Sequence, residues 1–428
     1  MFAKFTKDMK ATHTILIPTM IDPHFRFMQG VLRDEGYKSV LLGENRQNIV
    51  VRPVLEKHGY KVVVPALPDK AAIDLGLRYV NNDMCYPALL VIGQFIDALK
   101  SGEFDTHKVA LLISQTGGGC RASNYINLLR KALEDSGFSY VPAISLNFGS
   151  LDENEFSLGK KSLLKLFAAI FYGDLMMGLY NQCKPYEKIK NQTNEIYELC
   201  AERIKNLTDQ RSFFNLKKNF KFILSQFAKI ERDDKPRVKV GIVGEIYLKY
   251  SPIGNNGLNA YLIRENAEPV NTGLMDFVLT CIYDAVYDKQ LYGKGGVAYY
   301  GSLAVAKVVE FFQRMMIKQM KRFGFRAPSP FSEVRAAANG YIGHGVKMGE
   351  GWLLTAEMVE FMRHGIQNVV CAQPFGCLPN HIIARGMIRK IKQNYPQANI
   401  AAIDYDPGAS AVNQENRIKL MLANANRK

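Results

Sequence analysis

Short apolar runs alternate with helical patterns along the first third of the chain, and this alternation constrains the fold more than any other feature. A helical pattern follows the apolar run His13 to Met20, and the same order repeats until the run Tyr140 to Phe148. Continuous apolar strands separated by helices, such as one from about Pro87 to Lys100, are typical of a parallel sheet covered on both faces. The predicted strands are HTILIPTM, SVLLG, KVVVPAL, KVALLIS and YVPAISLNF.

The pattern changes in the middle of the chain and then returns. Long helical stretches run from about Ser162 to Glu231, and a polar break containing proline follows at 233–237. A second alternation begins at Val238 and ends with the strand Ala398 to Asp406 and a terminal helix. The sequence therefore predicts an α/β protein with two doubly wound, Rossmann- or flavodoxin-like domains and a helical connector. The predicted bounds are 1–160, 161–236 and 237–428.

Four of the seven cysteines lie where open α/β sheets bind ligands. Cys85 precedes a proline that suits the first turn of a helix, and Cys120 follows an apolar strand and three glycines. Cys371 ends the predicted strand NVVC, and Cys377 follows in a loop that contains Gly and Pro. We expect all four at or just beyond the carboxyl ends of strands, the edge at which such sheets place their ligands.

The setting of these cysteines indicates their chemistry. Helix N-termini stabilise thiolates, and thiolates with few neighbouring His or carboxylate groups favour an iron–sulfur cluster. Zinc is the competing metal, although the closely spaced C-x2-C pair of structural zinc sites is absent. Buried structural thiols are a third interpretation, which we prefer for the three cysteines within helical segments, since free cysteines pack as small apolar groups. Those three are Cys183, Cys200 and Cys281.

The composition limits the classes of partner. The 55 Lys and Arg exceed the 40 Asp and Glu, and this net charge of +15 suits nucleic acid, an anionic nucleotide or CoA ligand, or an acidic protein. No zinc-finger, helix-turn-helix or RNA-binding motif accompanies the charge, so we do not expect nucleic acid. The most apolar stretch, Leu163 to Tyr180, contains Lys165 and Asp174, and the N-terminal residues lack the apolar core of a secretory signal. We therefore expect no membrane span and a cytoplasmic, reducing compartment.

Five segments carry a family resemblance that extends over most of the chain. They are NNDMCYPALL, QTGGGCRASNY, GEGWLLTAEM, CAQPFGCLPNH and IDYDPGASAVNQENRIKLML. These segments resemble the 2-hydroxyacyl-CoA dehydratase superfamily, and more narrowly its activase-related, dehydratase-like branch. The resemblance implies a [4Fe–4S] cluster, or the double-cubane [8Fe–9S] cluster of one branch. It also implies an anaerobic redox protein that takes low-potential electrons from an ATP-hydrolysing iron–sulfur activator.

The resemblance also implies which residues hold the cluster. Cys85 and Cys120 would be ligands from the first domain, and Cys371 or Cys377 would be the third ligand from the second domain. The cluster would then lie between the domains. The remaining cysteine would complete an electron-transfer centre, or the fourth iron would stay open to substrate. Four loop cysteines are too few for a double cubane, so we expect a single cubane.

Two further residues are candidates for proton transfer. Glu350 lies in MGEGW, and His381 follows Cys377 by four residues at a predicted helix start. A structural role is the competing interpretation for each. The segment VGIVGEIYL lacks G-x-G-x-x-G, and no P-loop lysine motif occurs, so ATP hydrolysis belongs to a separate activator.

Three functions remain open at this point. The first is an iron–sulfur protein that performs one-electron reduction of a small or CoA-linked substrate. The second is one subunit of a radical 2-hydroxyacyl-CoA dehydratase, and the third is a non-catalytic metal-binding or docking protein. The resemblance leaves a homodimer open, although no coiled-coil signal stands out in the sequence.

Overall fold

In a computed structural model, the chain forms two four-stranded parallel sheets and many helices, which confirms the predicted α/β class. The structure describes residues 2–18, 20–42, 70–81, 83–114, 120–146 and 154–426. The predicted strand KVVVPAL and the polar helix before it lie outside these residues. The bounds of the predicted domains remain predictions.

The first sheet has the strand order β2-β1-β3-β4, and all of its pairs are parallel. Its strands are β1 Thr14–Pro18, β2 Lys38–Leu42, β3 Val109–Ser114 and β4 Ala143–Leu146. The helices of this part are α1 Met9–Thr12, α2 His24–Asp34, α3 Lys70–Tyr79, α4 Tyr86–Lys100 and α5 Tyr125–Asp135. Alternate strand residues are buried on opposite faces: Ile15 packs with α2, whereas Leu16 lies in the cluster that α4 and α5 complete. Both faces are therefore covered, as a parallel sheet requires.

Three long helices follow the first sheet, as the sequence predicts. They are α6 Lys160–Cys183, α7 Gln192–Lys205 and α8 Leu216–Phe227. The segment Lys160–Tyr186 is the one stretch among the described residues that is long and apolar enough to cross a membrane, yet 67% of its apolar window is buried in the protein. Its two buried charges have partners, since Lys165 contacts Asp34 and Asp174 hydrogen-bonds His24. The segment thus packs as a core helix.

The second sheet repeats the topology of the first, with the strand order β6-β5-β7-β8. Its strands are β5 Val238–Gly244, β6 Ala267–Asn271, β7 Asn368–Pro374 and β8 Asn399–Tyr405. The helices are α9 Ile246–Tyr250, α10 Leu258–Arg264, α11 Leu274–Tyr292, α12 Gly296–Arg322, α13 Phe331–Ala337, α14 Trp352–Arg363, α15 Gly386–Asn394 and α16 Ala411–Asn426. A π-helix, Asn380–Arg385, leads into α15.

Three local predictions need correction. Cys371 does not end its strand, because β7 continues through Ala-Gln-Pro to Pro374. The strand predicted from Val238 ends at Gly244, and the chain then turns into α9. Strand β6 was not predicted, because Glu268 and Pro269 interrupt its apolar pattern; it lies at the sheet edge, where a proline is tolerated.

The shared topology determines where ligands should bind. In each sheet, chain order reverses between the first and third strands, and open α/β sheets bind ligands at the carboxyl end of such a switch point. The two sheets also meet. The backbone N–H of Tyr86 in α4 donates to the carbonyl of Phe375, 3.0 Å away, and residues of both sheets share one buried cluster. The carboxyl edges of β3, β5 and β7 therefore contribute to one region.

Candidate functional site

Three of the predicted cysteines begin or precede helical turns at this region. Cys85 directly precedes α4, and Cys120 directly precedes a 3-10 turn that leads into α5. Cys377 lies in the loop between β7 and the π-helix. Cys85 and Cys377 are buried, whereas Cys120 is partly accessible. The site thus collects thiols from both sheets.

A glycine allows the loops of Cys85 and Cys377 to approach closely. Gly376, next to Cys377, has a φ of +73°, and a Cβ at this position would lie 3.1 Å from the Cα of Cys85. Any larger residue would be strained by this backbone conformation and would also push against the loop of Cys85. Gly376 therefore brings the loops of Cys85 and Cys377 together.

A second glycine brings Cys120 to the same place. Gly349 has a φ of +59°, and a Cβ there would lie 3.2 Å from Pro379 and 3.7 Å from the Sγ of Cys120. The loop that contains Gly349 and Glu350 thus lies between Cys120 and the segment after Cys377. The motif MGEGW, singled out in the sequence, forms one wall of the site.

Two carboxylates lie at the start of α9, directly after β5. Glu245 Oε2 accepts a hydrogen bond of 2.9 Å from the N–H of Leu248, and Glu350 Oε1 accepts one of 2.9 Å from the N–H of Ile246. Burial raises the pKa of Glu350, and burial together with Glu350 raises the pKa of Glu245 to about 8. The pair therefore retains a proton near neutral pH.

Burial also raises the pKa values of the three thiols. Burial, with smaller contributions from the neighbouring Glu245 and Cys120, raises the pKa of Cys85 to about 12. Burial is also the main cause of the raised pKa values of Cys120 and Cys377, and the nearby Glu245 and Glu350 contribute to both. The expectation that helix starts alone make these groups thiolates is therefore wrong for the protein by itself. A bound metal cation supplies the charge that displaces such protons.

Tyr125, the first residue of α5, contacts one of the thiols. Its hydroxyl lies 2.9 Å from the Sγ of Cys85, and both side chains are buried. Burial raises the pKa of Tyr125 well above its usual value, so the hydroxyl keeps its proton and can donate it to sulfur. The sequence contains this residue in QTGGGCRASNY, but its partner 40 positions away was not predictable from that motif.

Cys371 lies within a strand rather than in a loop. It is in the middle of β7, fully buried, and its Sγ is 3.6 Å from Asn380 Oδ1. The Nδ2 of the same asparagine lies 3.3 Å from the Sγ of Cys377, so Asn380 contacts both thiols. Burial, with contributions from Glu357, Asp404 and Glu350, raises the pKa of Cys371 to about 12.

His381 lies at the rim. Its ring contacts the amide of Gln373, a fully buried residue of β7, and its backbone N–H donates to the carbonyl of Cys377 over 3.2 Å. The histidine side chain is exposed to solvent. The structure thus separates the two predicted proton-transfer residues into a buried one, Glu350, and an accessible one.

Sequence reasoning missed Glu245 besides Tyr125, and its prediction of a buried Cys281 is wrong. Glu245 could have been identified as a candidate, because it directly follows a strand at a switch point of the sheet. Cys281, in α11, is accessible to solvent, although surrounding atoms raise its pKa to about 12, with Asp284 and Glu350 adding to the rise.

The site does not have the geometry of a single-ion site. Within the part of the chain that the structure describes, no three His, Cys, Asp or Glu side chains converge on one position that could hold a metal ion. A cubane has a different requirement, because its ligands are distributed over separate irons. Thiols are the donor type that such clusters take.

Comparisons with known proteins add no assignment: no family model matches the chain, and no curated protein matches it.

Proposed function

We propose that this chain is an iron–sulfur protein in which Cys85, Cys120 and Cys377 hold a [4Fe–4S] cluster between the two sheets. The observation that carries this proposal is the close approach of the loops that contain the three thiols: a Cβ at Gly376 would lie 3.1 Å from Cys85, and one at Gly349 would lie 3.2 Å from Pro379 and 3.7 Å from the Sγ of Cys120. Soft thiols with no imidazole among them are the donors that iron–sulfur clusters take. The motifs that resemble the 2-hydroxyacyl-CoA dehydratase superfamily contain all three cysteines.

When bound, such a cluster supplies low-potential single-electron chemistry. The residues of this chain would hold it, exclude water and manage protons. Tyr125 would donate a hydrogen bond to the sulfur of Cys85. The buried pair of Glu245 and Glu350 holds a proton beside the thiols, and exposed His381 connects the rim with solvent.

Electrons would come from a separate ATP-hydrolysing activator. The sequence contains no P-loop lysine motif, which supports hydrolysis on another protein. Exposed apolar side chains surround the loop of Cys377, and a patch of this kind beside a redox site suits a protein partner. They are Phe375, Leu378 and Ile382, which are 49%, 54% and 62% exposed. The proposed substrate is small or CoA-linked, and the proposed compartment is cytoplasmic.

One observation favours a second function, that of a radical 2-hydroxyacyl-CoA dehydratase subunit. Three of the four predicted ligands lie in loops beside helical turns, whereas Cys371 lies within strand β7. Three thiols leave one iron of a cubane open, and an open iron is what a substrate-binding cluster needs. Buried Glu350 would then be placed to transfer a proton to a leaving hydroxide.

The test is the iron content of single variants purified without oxygen. Cys85→Ser, Cys120→Ser and Cys377→Ser should each lose most of the iron while circular dichroism shows a preserved fold. Cys183→Ser and Cys200→Ser are matched controls, because both thiols are fully buried in helices and should leave iron unchanged. Wild-type iron in all three site variants would overturn the proposal and leave the non-catalytic docking protein.

A further inference from the structure

The loop between α13 and α14 changes abruptly from accessible to buried at the candidate site. No residue from 341 to 349 is buried, whereas every residue from 350 to 362 is buried. Two apolar side chains of this loop, Val346 and Met348, are 37% and 46% exposed. A segment that buries no side chain can leave its position without opening the core, so its local stability is low. This part of the site wall can therefore move at little cost.

Both ends of the segment are anchored, which confines movement to five residues. Before them, the ring of His344 stacks on Tyr287 of α11 with the ring centroids 4.4 Å apart. After them, buried Glu350 accepts the hydrogen bond of 2.9 Å from the N–H of Ile246. Residues 345–349 lie between these two anchors, and we call them the flap.

The flap lies over the most accessible of the three site thiols. A Cβ at Gly349, the last residue of the flap, would lie 3.7 Å from the Sγ of Cys120 and 3.2 Å from Pro379. Cys120 is partly accessible to solvent, whereas Cys85 and Cys377 are buried. A molecule from solvent therefore reaches the thiols from the side of Cys120, and the position of the flap determines how freely it does so.

One ion pair holds the middle of the flap against α11. Lys347 Nζ lies 2.6 Å from Asp288 Oδ1, and the two side chains are 29% and 33% exposed. The flap also approaches the end of α11, since a Cβ at Gly345 would lie 2.8 Å from the hydroxyl of Tyr292. An ion pair that is accessible to water stabilises a conformation only slightly and weakens as salt is added. It can therefore favour a closed flap without preventing its opening.

Two backbone hydrogen bonds connect the flap with the start of α14. The N–H of Trp352 donates to the carbonyl of Val346 over 2.7 Å, and the N–H of Gly351 donates to the carbonyl of Met348 over 3.0 Å. Water can replace the flap as partner of these groups, so their net contribution is modest. Opening thus breaks two hydrogen bonds and one ion pair.

We propose that the flap opens and closes over Cys120 and that the ion pair of Asp288 and Lys347 is its latch. The closed flap shields the side of the site at Cys120 from solvent and oxidants, and the open flap admits a substrate. The role in catalysis rests on the proposed function. The movement itself belongs to the protein with or without a cluster.

The test is the rate at which iodoacetamide alkylates Cys120 in reduced, metal-free protein, followed by mass spectrometry of the peptide that contains this residue. Asp288→Asn and Lys347→Gln should each increase the rate by up to about fivefold, the largest change that an accessible ion pair supports. The exchanged double variant Asp288→Lys/Lys347→Asp restores an ion pair and should return the rate toward that of wild type. Lys205→Gln is the matched control, because it breaks an accessible pair with Glu202 elsewhere, and it should keep the wild-type rate.

The two single variants distinguish a latch from a direct effect of charge on the thiol. Loss of a negative charge favours the reactive thiolate and loss of a positive charge disfavours it, so a purely electrostatic effect would change the two rates in opposite directions. A latch predicts that both rates rise. Opposite changes, or wild-type rates in both variants, would overturn the inference. Because the experiment needs no iron, its result is separate from the iron assay that tests the proposed function.

Discussion

The hydroxyl of Tyr125 lies 2.9 Å from the Sγ of Cys85, and this contact joins the first residue of one helix to the residue before another. Both side chains are buried, so solvent does not compete for the hydrogen bond. Burial keeps the phenol protonated, and it can therefore only donate to a sulfur that has lost its proton. The contact gives the proposed cluster a tuning group in the protein.

Replacing Tyr125 by Phe should therefore lower the reduction potential of the bound cluster without releasing iron. A donor to sulfur stabilises the more negative, reduced state, and its loss favours the oxidised state. We expect a shift of roughly tens of millivolts, since a tenfold change in a one-electron equilibrium is about 59 mV. The measurement is an EPR-monitored redox titration beside an iron assay. Tyr140→Phe, which alters a surface contact with Thr106, should leave the potential unchanged. An unchanged potential in Tyr125→Phe would contradict the assigned role.

The carboxylate pair predicts that the stability of the iron-depleted protein falls as pH rises. Folded Glu245 keeps its proton up to about pH 8, whereas its ordinary pKa is 4.5. Between these values the folded state binds more protons than the unfolded state, so the contribution of this group to stability is complete below about pH 4.5 and is lost toward pH 8. The expected slope is at most about 1.4 kcal/mol per pH unit.

Glu245→Gln should flatten this dependence and should be more stable than wild type at the alkaline end. Urea unfolding at about pH 5 and about pH 8 measures the free energies of unfolding. Exposed Glu134→Gln is the control and should keep the wild-type dependence. If Glu245→Gln also kept the wild-type pH dependence, the carboxyl group of Glu245 would not be protonated in the folded protein.

A buried ion pair joins α9 to α14, the helix that begins at Trp352 of the motif MGEGW. Lys249 Nζ lies 2.7 Å from Glu357 Oε1, both side chains are almost fully buried, and the hydroxyl of Thr272 also donates to this carboxylate. Lys249→Met should cost about 3–5 kcal/mol, because it leaves Glu357 charged and unpaired. The double variant Lys249→Met/Glu357→Leu should recover most of this loss. Lys205→Met, which breaks an accessible pair with Glu202, should change the free energy of unfolding by under about 1 kcal/mol.

The placement of Cys371 within β7 predicts that it is structural. Cys371→Ala should retain wild-type iron and should lower the free energy of unfolding by about 1 kcal/mol, because it removes a packed sulfur from the core. An iron assay and urea unfolding of the same preparation measure both quantities. Iron loss in this variant would make Cys371 the third ligand in place of Cys377, the other choice that the resemblance allowed.

The class of fold was predictable because buried parallel strands have continuous apolar sequences, whereas apolar residues recur with the helical period in helices. Strand β6 was not predicted, because it is an edge strand that tolerates Glu268 and Pro269, and these residues interrupt the apolar pattern. The end of β7 was misplaced because Ala, Gln and Pro after Cys371 do not look like strand residues. Local pattern thus locates elements better than it locates their last residues.

The site was predictable only in part. Three cysteines could be placed from the strands and helices around them, but the contacts of Tyr125 with Cys85 and of Asn380 with both Cys371 and Cys377 depend on tertiary packing.

The central claim is tested most directly by iron and acid-labile sulfide content of protein purified without oxygen, with an EPR spectrum before and after reduction. The account predicts about four irons and four sulfides per chain and a signal that appears on reduction. About eight irons would instead indicate the double cubane. Absence of iron, with stoichiometric zinc or no metal, would contradict the account.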